Sequence, residues 1–332
     1  MIGFMARRRP RTRTVLSIIG FVIVAAVVAF ALGPRPPADT TITFTEADLP
    51  DDLEAYIAAS ESRFDDIRPG NQRQIVWAYP ASRARTPLAI VYIHGFSASP
   101  AEIRPLPDLV ARELGANLYF ARLAGHGRGG DAMLEGSVGA WVNDLAEALA
   151  IGRRLGERVV VMATSTGASL ATWAAAHPAL MRDVAGLVQI SPNYGVQAAG
   201  SGLLTMPWAE TLVPLIAGER HSFEPYTELQ AQNWTHDYPS LALLPMAALV
   251  KLANGVDAAA ITVPSLFIVS PEDQVIVPER VTAMAGRWGA KAEVIEVGDS
   301  ADPSHHVIAG DALSPENTER LARLAADWIA KL

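Results

Sequence analysis

From about residue 74 onward, short runs of β-branched and aromatic residues alternate with longer stretches whose apolar positions recur every three to four residues. The short runs at 74–79, 88–94, 117–121, 159–163, 184–190, 265–269 and 292–297 read as strands. Helical periodicity fills 101–114, 138–155, 168–176, 279–288 and 317–332. Val159-Val160-Val161-Met162 and Leu266-Phe267-Ile268-Val269 show no polar alternation, so these strands are expected to be buried on both faces. The pattern predicts an α/β fold: a mostly parallel central sheet with helices on both faces. Upstream, 46–65 reads as a short amphipathic helix on the edge of that body.

Two stretches break the rhythm. About seventy residues rich in Leu, Ala, Pro and Trp separate the strand ending near Ile190 from the one starting near Ser265. That is too long for a plain connection, and helical spacing returns within it at 241–253, so about 194–262 is expected to form a helical cap insertion over the carboxyl edge of the sheet. The other stretch is the N-terminal 1–33. From Thr14 to Leu32 nineteen residues carry no charge, enough for a helix that nearly spans a hydrocarbon core of about 30 Å. Arg7, Arg8, Arg9, Arg11 and Arg13 precede it. The excess of arginine on that side predicts a single-pass transmembrane helix, N-terminus cytoplasmic and the remainder extracytoplasmic. The alternative is a secreted protein released by signal cleavage, because Ala29-Phe30-Ala31 is a small-x-small pattern; the apolar run exceeds the usual signal length, which favours the anchor. A stiff linker at 34–44 opens with Pro34-Arg35-Pro36-Pro37, and 45–332 then forms one domain containing the cap.

Charge and cysteine content narrow the partners. The chain has 332 residues, net charge −8 and no cysteine, so disulfides and thiolate metal sites are excluded. Beyond residue 33 there are 22 basic against 35 acidic groups, and this acidic body excludes a nucleic-acid partner. His177, His221 and His236 stand alone without metal-ligand spacing, so no metal site is expected.

The sharpest chemical signal is Ala163-Thr164-Ser165-Thr166-Gly167. A buried strand ends at Ala163 and a small-residue helix starts near Gly167, so Ser165 sits on the turn between them. Small neighbours let that turn approach the adjacent backbone, and the helix N-terminus supplies N–H groups and a positive dipole end. Three further pieces also fall at strand ends: His94-Gly95-Phe96; Asp273, within Ser270-Pro271-Glu272-Asp273-Gln274; and His305-His306-Val307-Ile308.

Serine, acid and histidine in that chain order, with Ala163 where the usual pattern has glycine, resemble the α/β-hydrolase superfamily. The resemblance covers about 70–332, is weakest in the cap, and is to its monoacylglycerol lipase, carboxylesterase and serine aminopeptidase branch. It implies an α/β-hydrolase fold and a triad of Ser165 as nucleophile, His306 as base and Asp273 as acid. Glu272 and Asp302 compete with Asp273, whose offset from Val275 and Pro278 fits better. His306 is preferred to His305 because an apolar pair follows it, leaving His305 as a solvent-facing neighbour. The N–H groups of Phe96 and Thr166 are implied as the oxyanion hole, and Gly125-His126-Gly127 as a structural turn.

The implied activity is lipase- or esterase-type hydrolysis of a carboxylic ester, a small-molecule acyl ester or a lipid, by acyl transfer through Ser165, with no metal or organic cofactor. A peptidase, thioesterase or acyltransferase would use the same triad. A membrane-anchored hydrolase-fold binding module without catalysis is the alternative of a different class. Activity is expected to fall on acidification through a histidine pKa near 6.5, shifted by neighbours.

Overall fold

The computed structural model describes residues 11–332, with side chains from Thr14 onward. Arg7, Arg8 and Arg9, on which the expected orientation leans, lie outside the described residues.

Helix α1 (Arg11–Ala31) carries the charge-free run, and its span from Thr14 to Ala31 is 0% buried. It is long and apolar enough to cross a membrane. The stretch 46–65 is not one helix: a 3-10 turn at Glu46–Asp48 precedes α2 (Leu53–Glu61). Pro50 interrupts it, and the Asp52 carboxylate starts α2 afresh by accepting the Ala55 N–H at 3.0 Å.

The body then runs β1 (Gln74–Val76), β2 (Thr86–Ile93), α3 (Leu106–Leu114), β3 (Asn117–Phe120), α4 (Val138–Leu155), β4 (Gly156–Thr164), α5 (Ser165–Ala175) and β5 (Val184–Ile190). An inserted segment follows, holding α6 (Ala209–Ala217), β6 (Arg220–Ser222), α7 (Glu228–Asn233), β7 (Asp237–Pro239) and α8 (Leu243–Gly255). The chain closes with β8 (Ser265–Val269), α9 (Pro278–Ala285), β9 (Ala292–Glu296) and α10 (Pro315–Ile329). Helix α3 starts five residues later than the pattern predicts, because a residue before proline avoids the helical region and Arg104 precedes Pro105.

Seven strands form one sheet in the order β1-β3-β2-β4-β5-β8-β9, antiparallel only at β1. Alternate residues explain the unbroken apolar runs. Val91, Ile93, Val159 and Val161 enter the core under α4 and α5, with Trp141, Leu145, Leu149 and Leu170. Ile90, Tyr92, Val160 and Met162 enter the opposite core with Leu106, Val110, Leu321 and Trp328 of α3 and α10. Both faces of each central strand are thus covered, the condition under which parallel sheets are found. The β6–β7 pair was not legible in the sequence: each strand is three residues long, and β6 is exposed throughout.

Register makes the working edge. Ile93 pairs with Ala163, Thr164 with Ile190, and Ile190 with Ile268. Strands β2, β4, β5 and β8 therefore end level, and the loops that follow them meet at one rim, the place where open α/β sheets carry their sites.

Candidate active site

Ser165 occupies the sharp bend from β4 into α5 with a φ of +51°, a conformation costly for any residue but glycine. The bend works because its neighbours are small. A Cβ on Gly167 would collide with the carbonyl oxygens of Ile93 and His94, and one on Gly95 would come within 3.1 Å of the Ser165 Cβ. Ala163, the departure from the glycine pattern, is fully buried beside Ile93. Its methyl group fits.

The structure brings Ser165, His306 and Asp273 together, although they lie far apart in sequence. His306 Nε2 is 3.0 Å from Ser165 Oγ, and its Nδ1 is 2.7 Å from Asp273 Oδ2. Asp273 Oδ1 accepts the N–H groups of Val275 and Ile276 at 2.8 and 2.9 Å, which explains why its offset from Val275 matters. All three are nearly covered, Ser165 being 8% exposed and His306 9%. Burial alone would lower the His306 pKa. The Asp273 charge and hydrogen bond, with Asp302 and Glu102 behind, outweigh it and hold the pKa above the ordinary histidine value.

The competing residues have other partners. Glu272 is solvent-facing and lies 3.6 Å from His305. His305 is half-buried rather than free in solvent, and its φ of +53° turns the chain so that the next residue faces Asp273. Asp302 is buried and organises the histidine loop: its Oδ2 accepts the N–H groups of His306 and Val307 at 3.0 and 2.7 Å and the Ser304 hydroxyl at 2.7 Å.

Phe96 follows the end of β2, and Thr166 lies in the first turn of α5. Leu123 N–H donates to His94 Nε2 at 3.0 Å, so the imidazole proton resides on Nδ1 and is donated to the Gly95 carbonyl at 2.8 Å. Burial keeps His94 neutral, its pKa well below the usual value. The Phe96 ring packs edge-on against Tyr238 of the inserted segment, 5.6 Å between centroids. His126, in the Gly125–Gly127 turn, lies 5.6 Å from Phe96 and hydrogen-bonds the Ala124 carbonyl. That turn is structural.

Sequence reasoning missed three side chains. Asn193 N–H donates to the Ser165 carbonyl at 3.0 Å and its Nδ2 to Thr166 Oγ1 at 3.3 Å, stapling the bend from the β5 side. Ser191 donates to the His306 carbonyl at 2.6 Å. Glu102 is buried directly behind Gly95. Only Glu102 left a trace, as an acid closely following a buried strand; Ser191 and Asn193 carry no pattern.

Comparison with known proteins agrees with this architecture. Residues 90–322 match the model of the alpha/beta hydrolase family. The chain is 25% identical over 244 residues to a thermostable monoacylglycerol lipase of Bacillus sp. (strain H-257), covering 73% of this chain and 92% of that protein. A solved structure of the metagenome-derived lipolytic enzymes LipS and LipT superposes with a TM-score of 0.66 at 19% identity, covering 80% of this chain and 100% of that one. The monoacylglycerol lipase of Paleococcus ferrophilus gives 0.55 at 15% identity, covering 78% and 98%. With the family model spanning more than two thirds of its length, the chain belongs to the alpha/beta hydrolase family.

Proposed function

We propose that this chain is a serine hydrolase of lipase or esterase type that cleaves carboxylic esters of medium or long acyl chains beside a membrane. The observation carrying this is the continuous hydrogen-bond chain from Ser165 Oγ through His306 to Asp273, at 3.0 and 2.7 Å. As Ser165 Oγ attacks the ester carbonyl, its proton passes to His306 Nε2, and Asp273 stabilises the imidazolium that forms. The N–H groups of Phe96 and Thr166 hold the oxyanion. The tetrahedral species collapses by expelling the alcohol, which takes the proton from His306. Water, deprotonated by the same nitrogen, then releases the acid and restores Ser165.

The lipid preference rests on the inserted segment, which we take as a cap at about 194–262. Met206, Trp208, Leu215 and Ile216 are exposed on it, and the Trp208 indole N–H donates to the Ala29 carbonyl in the last turn of α1 at 3.2 Å. If α1 crosses a bilayer, its end sets the bilayer edge, and these apolar side chains lie against it. Similarity to a monoacylglycerol lipase supports the same substrate class.

The test is fluorophosphonate labelling of the full chain in detergent, with hydrolysis of p-nitrophenyl esters of rising chain length. Labelling together with a rate that rises beyond the acetate is expected; absence of both sinks the assignment. The pH profile carries a sign. The base must be neutral to accept the Ser165 proton, and the neighbouring carboxylates hold the His306 proton on to higher pH. The acid limb of kcat/KM, which reports the free enzyme, is therefore expected above about 6.5. A limb well below that value contradicts the pairing with Asp273.

A further inference from the structure

Glu102 is a carboxyl group in a place that offers it no cation. It is 2% exposed, and among the described residues no arginine or lysine pairs with it. An uncompensated buried charge is costly, and a neutral side chain would fill the space at less cost. Its hydrogen bonds all reach the machinery proposed above. Glu102 Oε1 accepts the Gly95 N–H at 2.7 Å and the Tyr92 O–H at 2.5 Å. The phenol has one proton, which goes to the carboxylate. The Thr164 hydroxyl, 2.9 Å from the phenol oxygen, therefore donates to it. Oε2 lies across Gly95 from the nucleophile: the point where a Gly95 Cβ would sit is 3.1 Å from both Oε2 and the Ser165 Cβ.

These contacts bear on both oxyanion donors. The Gly95 carbonyl and the Phe96 N–H belong to one peptide plane, so the direction of that N–H is fixed by whatever holds Gly95 on either side. His94 Nδ1–H holds the carbonyl end at 2.8 Å, and Glu102 holds the amide end. Through Tyr92, the same carboxylate secures Thr164, the residue before Ser165, and hence the turn that presents the Thr166 N–H.

We propose that Glu102 is a positioning residue that locks the two halves of the oxyanion hole together, the Gly95–Phe96 loop and the Thr164–Thr166 turn. This rests on the serine hydrolase reading and deepens it. The titratable groups facing Glu102 are Tyr92 on β2 and His306; those facing His306 are Asp273, Asp302 and Glu102. Burial pushes Glu102 up to about 7 against the hydrogen bonds from Tyr92 and Gly95, and its charge in turn raises His306.

The test uses the full chain in detergent and the variants Glu102→Leu, Glu102→Gln and Tyr92→Phe, with p-nitrophenyl butyrate as substrate and fluorophosphonate labelling to count folded sites. Removing an oxyanion donor costs about a hundredfold or more, and misaligning one costs less, so Glu102→Leu is expected to lower kcat about tenfold or more per labelled site, KM staying within about threefold. Glu102→Gln, whose amide oxygen still accepts from Gly95 and Tyr92, is expected to keep most of the wild-type kcat. Tyr92→Phe cuts the link to Thr164 and is expected to lower kcat, again with little change in KM. Should Glu102→Leu not fold, the kcat-against-KM split in Tyr92→Phe decides alone. Glu102→Leu and Tyr92→Phe both within twofold of the wild type per labelled site, or losses that only track the fraction of folded protein, overturn the proposal. A wild type that neither labels nor hydrolyses overturns the serine reading itself, and this inference with it; an active wild type with unaffected variants sinks only the role of Glu102.

Discussion

Ser165→Ala is expected to lower kcat by about a millionfold, to abolish fluorophosphonate labelling, and to lower the unfolding temperature by no more than about 4 °C. The three outcomes have one origin. Alanine keeps the backbone at the φ of +51° that the bend requires, because the bend is enforced by neighbours rather than by the hydroxyl. Gly95, Gly167 and the Asn193 N–H on the Ser165 carbonyl all remain. The substitution removes one oxygen, whose hydrogen bond to His306 Nε2 is 3.0 Å long and contributes about 1 kcal/mol. The left-handed conformation costs a non-glycine residue about 1–2 kcal/mol, so Ser165→Gly is expected to be equally inactive and no less stable than the wild type. The proposed nucleophile is thus a residue the fold loses little by replacing. A Ser165→Ala enzyme keeping a few per cent of wild-type kcat, with contaminating esterase excluded by labelling, would show that another group attacks the ester.

The sheet was legible because its strands are buried on both faces. Apolar side chains cover both sides of the middle of strands such as β4 and β8, and the resulting runs stand out from the helical periodicity around them. The rim was legible for a related reason. A nucleophile on a strand-to-helix bend needs small neighbours, and an acid and a base at the ends of later strands need no more than matched strand lengths to meet it. What escaped has no such pattern. Asn193 and Ser191 each hold one backbone carbonyl, of Ser165 and of His306, in loops that become adjacent only when β4, β5 and β8 align. The break at Pro50 is a local signal that amphipathic spacing concealed. The inserted segment is the least legible part, since its short β6–β7 pair is held by neighbours: Thr235 N–H donates to the Ser97 carbonyl at 2.7 Å, and the Phe223 N–H to that of His236 at 3.0 Å.

The second large effect separates Asp273 from Asp302, two of the buried acids near His306. Asp273→Asn is expected to lower kcat about ten-thousandfold with the fold intact. The Val275 and Ile276 N–H groups demand an acceptor, so the new amide turns its oxygen to them and its NH₂ towards His306. Facing a donor, Nδ1 becomes the acceptor, the ring proton moves to Nε2, and Nε2 can no longer take the proton of Ser165. The imidazole is then in place in the wrong tautomer. Asp302→Asn acts differently. Asp302 Oδ2 accepts the N–H groups of His306 and Val307 and the Ser304 hydroxyl, while Oδ1 accepts the Ser304 N–H, so one amide oxygen cannot serve all four. At least one donor is left facing an NH₂ group, which costs about 1–3 kcal/mol of stability and loosens the loop without touching the tautomer. Unfolding temperature and kcat measured on both variants should therefore divide: activity lost at unchanged stability for Asp273→Asn, stability lost with a much smaller fall in kcat for Asp302→Asn. If instead Asp302→Asn stays as stable as the wild type and loses ten-thousandfold in kcat while Asp273→Asn keeps its activity, the acid that orients His306 is Asp302.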